Sequence, residues 1–476
     1  MRKNTYHLIS LGCSKNTVDS ESMGQLLNQS GYTVEPDAAQ AKIIIVNTCG
    51  FIDQARDESL QMLRELAVQK KDDQYLIAAG CMTQRLGLEV INQVPGIDGL
   101  LSTRRWMDIV DVIQELRNGK HPQPVYHLPD TSRTVVEQEG VLRAAVQGSS
   151  AYLKIADGCR RPCAFCSIPL IKGTAVSRPI DSILEDAVLL QNHGIREIIL
   201  IAQDTTDYGH DLGMKNGLAV LLEQMVQVLQ DDQLAIHDPA EDIAWIRIMY
   251  AYPGYVTDQL IDVMASHEQI LPYLDIPLQH AHPRILRAMR RPANIDWMYT
   301  ILEKMREKMP DLALRTTFIV GYPGETELEF QSMLDFIAEI RFDKVGAFQF
   351  SFEPGTESEA LGDPIPSEVK QERWERLMAL QQGISLERNQ AQLGKILDVL
   401  VEGQGDGLSV GRTYRDAPEI DGLTILEGEY ASGEMIPVRI TDAMAYDLHG
   451  IPLHKWSQFV NRSSDTITFE PRKEGS

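Results

Sequence analysis

The segment Ala156-Asp-Gly-Cys-Arg-Arg-Pro-Cys-Ala-Phe-Cys166 places Cys159, Cys163 and Cys166, half of the six cysteines in the chain, within one short loop. Its spacing is CxxxCxxC. A structural zinc site takes four protein ligands and is commonly built from paired CxxC or HxxxH elements, so three thiolates alone leave a coordination position open. An iron-sulfur cluster suits such a donor set, because thiolates bind it and an iron without a protein ligand can accept a substrate. A disulfide, or a zinc site completed by a distant fourth ligand, are the other readings of the same residues.

The remaining cysteines, Cys13, Cys49 and Cys81, are far apart in sequence, and each follows an apolar run. Strands are expected at 6–11, 43–46 and 75–79, with helices at 17–29 and 53–69 between them. This βαβαβ alternation implies a parallel sheet with right-handed crossovers. Each cysteine then lies just past the C-terminal end of a strand, beside Gly12, Gly50 or Gly80. In an open parallel sheet those loops share one edge, where ligands bind, so the three thiols are expected to meet in space. The neighbouring glycines would let the backbone approach a bulky cofactor and turn amides toward its sulfurs. Taken singly, each cysteine is equally a small buried hydrophobe.

The chain has 476 residues, enough for two to four domains at about 100–200 residues each. It carries 45 Lys and Arg against 68 Asp and Glu, a net charge of −23. That balance opposes tight binding to a polyphosphate and favours a basic partner. The apolar run after Met1 is broken by Ser10 and is too short for a signal sequence, and no run approaches the roughly 18 apolar residues of a membrane span. A reducing, cytoplasmic compartment is therefore expected, where six cysteines favour metal or redox use over a disulfide framework.

Residues 118–150 read as a linker, with Pro122-Gln-Pro124 and a polar run through Ser132. Strand and helix then alternate again for over 200 residues. Strands are expected from Tyr152 and at 198–201, 245–249, 273–276, 314–320 and 344–350, and helices at 182–192, 258–266, 297–309 and 327–339. About six repeats point to a complete or partial β/α barrel, whose site belongs at the C-terminal strand ends; the CxxxCxxC loop directly follows the first strand. Polar clusters at the other ends, 202–206, 250–254, 277–280 and 321–324, are cofactor or substrate loops by position, although 321–324 also fits a tight turn. His280 and His282 fit a hydrogen-bonded structural role better than a metal site. A charged helix at 367–389 leads to short segments at 396–401, 408–412, 423–425, 434–440 and near 445–448, separated by Gly and Asp turns. This spacing reads as a small antiparallel barrel, with a hairpin turn at 403–407.

Together, CxxxCxxC with Phe165 before its last cysteine, three dispersed upstream cysteines and a small terminal β-barrel resemble the radical S-adenosylmethionine methylthiotransferases. Within that family Leu11-Gly-Cys-Ser-Lys-Asn-Thr-Val-Asp-Ser-Glu21, Ala156-Asp-Gly-Cys159, Ile201-Ala-Gln-Asp-Thr-Thr206 and Tyr273-Leu-Asp-Ile-Pro-Leu-Gln-His280 resemble the branch that modifies an aspartate of a small-subunit ribosomal protein (RimO type). Ser14 and Lys172 depart from the Pro and Arg more often found there. The resemblance implies an N-terminal open parallel sheet domain (3–118), a linker (119–144), a radical-SAM partial β/α barrel core (145–382), an antiparallel TRAM β-barrel (385–455) and a tail (456–476).

It also implies two 4Fe-4S clusters. Cys159, Cys163 and Cys166 would hold the first, whose open iron binds S-adenosylmethionine; its one-electron cleavage yields a 5′-deoxyadenosyl radical that takes hydrogen from the β-carbon of the target aspartate. Cys13, Cys49 and Cys81 would hold the second, which carries the sulfur that a further S-adenosylmethionine methylates. Phe165 and Gln203 are the expected S-adenosylmethionine contacts, Phe165 equally a core side chain. The expected partners are a basic small-subunit ribosomal protein or the assembled subunit, an external electron donor and a sulfur donor, with no membrane, and the protein is expected to be a monomer. The transfer-RNA branch (MiaB type) and a non-catalytic iron-sulfur electron carrier are the alternatives.

Overall fold

The computed structural model describes residues 4–119, 124–128, 137–231 and 243–457. The first domain runs β1 (Thr5–Ser10), α1 (Ser14–Gln29), β2 (Thr33–Val34), β3 (Ile43–Thr48), α2 (Asp53–Gln69), β4 (Tyr75–Gly80), α3 (Cys81–Leu86), α4 (Glu89–Gln93), β5 (Gly99–Ser102), α5 (Ile109–Arg117) and β6 (Val125–His127). All six strands are parallel, in the order β2-β1-β3-β4-β5-β6. β3 is buried along its whole length and does not alternate, because helices cover both faces of the sheet. Ile43 and Ile45 enter one apolar cluster and Ile44 and Val46 the opposite one.

The stretch read as a linker is in part structural. Val125–His127 adds the sixth strand to the first sheet, and Ala144–Gln147 (β7) opens the second as the antiparallel partner of Ser150–Lys154 (β8). At three or four residues these strands fall below the length at which periodicity can be read. Pro122 and the polar run through Ser132 lie outside the described residues.

The central domain continues with β9 (Ala156–Asp157), α6 (Ile168–Lys172), β10 (Val176–Ser177), α7 (Ile180–Gln191), β11 (Glu197–Ile201), α8 (Gly217–Leu229), β12 (Trp245–Ile248), α9 (Asp258–Ser266), β13 (Ile270–Asp275), α10 (Pro283–Ala288), α11 (Ile295–Lys308), β14 (Ala313–Val320), α12 (Glu327–Ile340) and β15 (Lys344–Gln349). Its sheet has the order β15-β14-β13-β12-β11-β8-β7, parallel from β8 to β15. It is a partial barrel, open between its edges among the described residues. Thr326 and Glu329 close the start of α12 as a reciprocal capping box, the T-x-x-E pattern visible in the sequence.

From α13 (Ser367–Gln390) the chain passes into a closed barrel of β16 (Ile396–Gly405), β17 (Leu408–Arg412), β18 (Thr424–Glu427), β19 (Met435–Ala443) and β20 (Leu448–Pro452), ordered β16-β17-β18-β20-β19. Two differences from expectation appear here. The last strand begins at Leu448, because 444–447 form a turn in which the Met444 amide donates to the Asp447 carbonyl. The barrel is also not wholly antiparallel, since β18 and β20 pair in parallel. The hairpin at 403–407 is as expected: Asp406 and Gly407 both have positive φ, 54° and 77°, the twist that suits a two-residue hairpin turn.

The loop between β17 and β18 packs against the inward-facing side chains of the partial barrel near its strand N-termini. Arg412 donates to Glu197 at 2.6 Å, and Arg247 donates to the other oxygen at 2.7 Å. Arg415 pairs with Asp343, Lys344 with Asp416, and the Tyr273 hydroxyl donates to Asp421 at 2.7 Å. Burial alone would raise the Glu197 pKa, but the two guanidiniums outweigh it and hold it at about 2. Because the folded value lies below the unfolded one, near 4.3, this stabilisation is complete above about pH 4.3 and is lost as pH falls toward 2. Arg412→Met leaves Glu197 short of one charge partner in a buried site. The expected cost is about 3–5 kcal/mol, read as a lowered urea midpoint at pH 7 that converges with wild type as pH falls toward 2.

Candidate active site

Cys13 is the N-cap of α1, Cys49 directly follows β3, and Cys81 is the first residue of α3 after β4. Parallel pairing brings these three loops to one edge. The glycines record how closely. A Cβ on Gly12 would stand 2.8 Å from the Cys49 Cβ and 3.0 Å from its Sγ, and one on Gly50 would stand 2.7 Å from the backbone of Met82. Any side chain at either position would force the cysteine loops apart. The Gly50 and Phe51 amides bond the Cys49 sulfur, the amide role expected of these loops.

The second set sits in the loop between β9 and β10, which pair antiparallel at its base. Gly158, at φ +78°, has no room for a Cβ, which would fall 2.1 Å from the Thr174 carbonyl oxygen. The Cys159 amide donates to Gly173, and the Ala164 amide to Met289, so both arms of the loop are tied to neighbouring elements. Cys159, Cys163 and Cys166 line a cavity of about 410 Å³ with Arg160, Arg161 and Glu357. Around the sulfurs, the Arg161 amide lies 3.5 Å from Cys159, the Arg291 guanidinium 3.6 Å from Cys163, and the Tyr252 hydroxyl bonds Cys163. Arg161 and Arg291 both stack on Tyr252, with centroid distances of 4.7 and 4.2 Å.

The loops that carry the two sets are in contact. Ser167, next to Cys166, donates to the carbonyl of Phe51, two residues past Cys49, at 3.3 Å. Arg104 of the first domain donates to the carbonyls of Ile171 and Leu170 in α6. Arg56 and Arg85 both pair with Glu353 at 2.7 Å. Beneath the cysteines lies a fully buried group of charges. Asp19 of α1 accepts from Arg143 at 2.6 Å, Lys154 at 2.7 Å and Lys172 at 2.8 Å, and both lysines reach Asp157 at 3.2 Å. Burial would raise the Asp19 pKa, yet the three cations hold it far below the ordinary range. Lys172 is raised although burial opposes its charge, because Asp157 and Asp19 lie against it; it also faces Cys81.

Of the expected contacts to S-adenosylmethionine, Gln203 donates to Asp157 at 3.2 Å, beside the loop, and its buried Oε1 has no partner. Phe165 packs against the cluster of Ile285, Met289, Tyr322 and Phe350, the core placement that its sequence position equally allowed. His280 and His282 are structural: His280 is buried 3.4 Å from Glu325, and His282 caps α10. Residues 321–324 form a turn, with the Tyr322 ring buried and its hydroxyl donating to Ala288. Sequence reasoning did not find Asp19, Lys154, Arg161, Tyr252 or Arg291. Tyr252 lies in a strand-end cluster already singled out, Arg161 lies between two cysteines, and Asp19 lies in the 11–21 segment that carries the resemblance, which gave it no role of its own.

Three families match the chain: one described as Uncharacterized protein family UPF0004 over residues 5–102, the Radical SAM superfamily over 153–337 and the TRAM domain over 393–452. The ribosomal protein uS12 methylthiotransferase RimO of Roseiflexus sp. (strain RS-1) is 45% identical, covering 98% of this chain and 99% of its own. That of Chloroflexus aurantiacus is 48% identical, covering 94% and 99%. The chain belongs to the RimO family. Among solved structures, the radical S-adenosylmethionine methyltransferase TsrM from Kitasatospora setae aligns with a TM-score of 0.56 over 88% of this chain and 80% of its own, at 13% identity, a likeness of fold. No helix among the described residues is long and apolar enough to cross a membrane.

All six cysteines are free, but their settings differ. Cys13 is exposed, whereas burial pushes Cys81 and Cys166 up to about 12 and Cys159 up to about 11. The thiolate is the alkylating species. In the metal-free protein at pH 8, iodoacetamide should therefore label Cys13 first and Cys81 and Cys166 last, as read by peptide mass spectrometry. Equal rates at all six positions would contradict this arrangement.

Proposed function

We propose that this protein methylthiolates an aspartate of ribosomal protein uS12 by radical S-adenosylmethionine chemistry, using two 4Fe-4S clusters. The observation that carries the reading is the apposition of the two cysteine triads, joined through Ser167 and Phe51. Near full-length similarity to uS12 methylthiotransferases supplies the substrate.

The residues fit the groups assigned to them. Cys159, Cys163 and Cys166 provide three thiolates around a cavity, with N–H and O–H donors from Arg161, Arg291 and Tyr252 aimed at their sulfurs. Such donors tune a cluster as well as hold it. Cys13, Cys49 and Cys81 provide the second set, packed through Gly12 and Gly50. When bound, the first cluster and S-adenosylmethionine supply one-electron chemistry able to take hydrogen from an unactivated carbon, which acid-base side chains cannot do.

The protein itself binds, orients and excludes water. Gln203, with its unpartnered buried oxygen beside Asp157, is a polar contact available to S-adenosylmethionine. Phe165, one residue before Cys166, is the apolar one. The net charge of −23 favours a basic protein substrate, whether free or within the small subunit. An external electron donor must feed the cleavage, and a sulfur donor must renew the inserted atom. A cytoplasmic, monomeric enzyme is consistent with this reading.

The test is anaerobic turnover of the iron-reconstituted protein with S-adenosylmethionine, a reductant and small ribosomal subunits, followed by intact-mass analysis. A gain of one methylthio group on uS12 is expected. Methylthio-adenosine formed from added transfer RNA, with no gain on uS12, would reassign the substrate. Cys163→Ala should abolish cleavage of S-adenosylmethionine, whereas Cys49→Ala should retain cleavage and lose methylthiolation. Iron content should be about eight per chain; equal loss of both activities in the two folded variants, or about four irons, would overturn the two-cluster assignment.

A further inference from the structure

Lys15 stands in the first turn of α1, two residues after Cys13. Its ammonium lies 3.1 Å from the ring centroid of Tyr250, across the junction between the first two domains. Among the described residues it has no carboxylate partner. This sets it apart from Lys154 and Lys172, the other lysines of the junction, each of which holds two carboxylates. The carboxylate bonded to the Tyr250 backbone is already engaged, because Asp275 holds Arg315 at 2.9 Å and the Tyr250 amide at 3.2 Å.

Both halves of the contact are held firmly. The backbone around Lys15 is fixed by Asn16, which donates to the Leu11 carbonyl at 2.6 Å and receives the Asn47 side chain at 2.9 Å on its own carbonyl. Tyr250 adopts φ +61°, a left-handed conformation that a bulky residue takes only under constraint; its carbonyl receives the Thr205 amide at 3.1 Å. Such strain at a strand end of a β/α barrel points to a position the site needs. The ring faces a cation without neutralising it, so N–H groups remain free for an acceptor.

We propose that Lys15, on its Tyr250 platform, receives the side-chain carboxylate of the aspartate to be modified. This rests on the proposed function. The reacting β-carbon is bonded directly to the carboxylate carbon, so fixing the carboxylate fixes the carbon between the two cysteine sets. An unpaired, half-buried ammonium is the complement of that group, and a charge-assisted hydrogen bond there is worth roughly tenfold or more in affinity. Lys15 is thus a positioning and specificity residue.

S-adenosylmethionine also carries a carboxylate, so the test separates the two sources. The dissociation constants of uS12 and of uS12 with its modified aspartate changed to asparagine are measured on holoenzyme carrying wild-type Lys15, Lys15→Gln or Lys15→Arg, alongside the KM for S-adenosylmethionine. Wild type should bind the asparagine protein about tenfold more weakly. Lys15→Gln should bind both forms with the same weakened affinity, and Lys15→Arg should restore part of the difference. A difference between the two uS12 forms that is unchanged in Lys15→Gln would overturn the proposal. So would a rise in the KM for S-adenosylmethionine of the same size with no change toward uS12. Failure of the wild-type enzyme to methylthiolate uS12 would instead overturn the proposed function, and this assignment with it.

Discussion

The structure depends most on the buried charges around Asp19. Five ionised groups from α1, from the segment before β7, from β8, from β9 and from the end of α6 meet out of solvent, three cations against two carboxylates. Removing charges from water is costly, and such a group forms only if every member reaches its partners at once. That requirement sets the angle and distance at which the first two domains meet. The cysteine loops ride on the same elements: Cys13 begins the helix that carries Asp19, and Asp157 lies two residues before Cys159. The surplus positive charge also suits a place where thiolates gather, and the charge of Lys172 acts on Cys81.

The terminal barrel solves the opposite end of the same problem. A partial β/α barrel has inward side chains that must be covered at both ends, and here the β17–β18 loop covers them near the strand N-termini through paired Arg, Lys, Asp and Glu residues. These pairs leave the C-terminal strand ends as the open face, toward the first domain. Both clusters of thiols and the Lys15–Tyr250 contact lie there. A terminal barrel used in this way is first an internal wedge.

Much of this arrangement was legible from local pattern. Strand and helix positions followed from apolar runs and their period, to within a residue or two for β3, α2, α9, β14 and β17, because each is an unbroken apolar run, is long enough to show its period or is bounded by Gly and Asp. β6 and β7 were not legible: a three- or four-residue strand at a sheet edge gains its identity from the neighbour it pairs with. The parallel β18–β20 pair was hidden for the same reason, since strand direction within a closed barrel is decided by which strand lies alongside. His280 and Phe165 show the limit for single residues, whose buried or ligand-facing roles look alike until the packing around them is known.

The sequence by itself determined where thiol donors gather. The CxxxCxxC spacing, three cysteines each placed after a strand, and the glycines beside them restrict the donor set to thiolates at sheet edges, whatever the tertiary detail, because spacing and backbone freedom are local properties. Only the tertiary structure decided that the loops of the two triads touch, that Lys172 joins Asp19 and Asp157, and that Lys15 remains without a carboxylate partner among the described residues. Those facts depend on which charges are brought together from segments more than a hundred residues apart, and no local preference of the chain encodes that pairing.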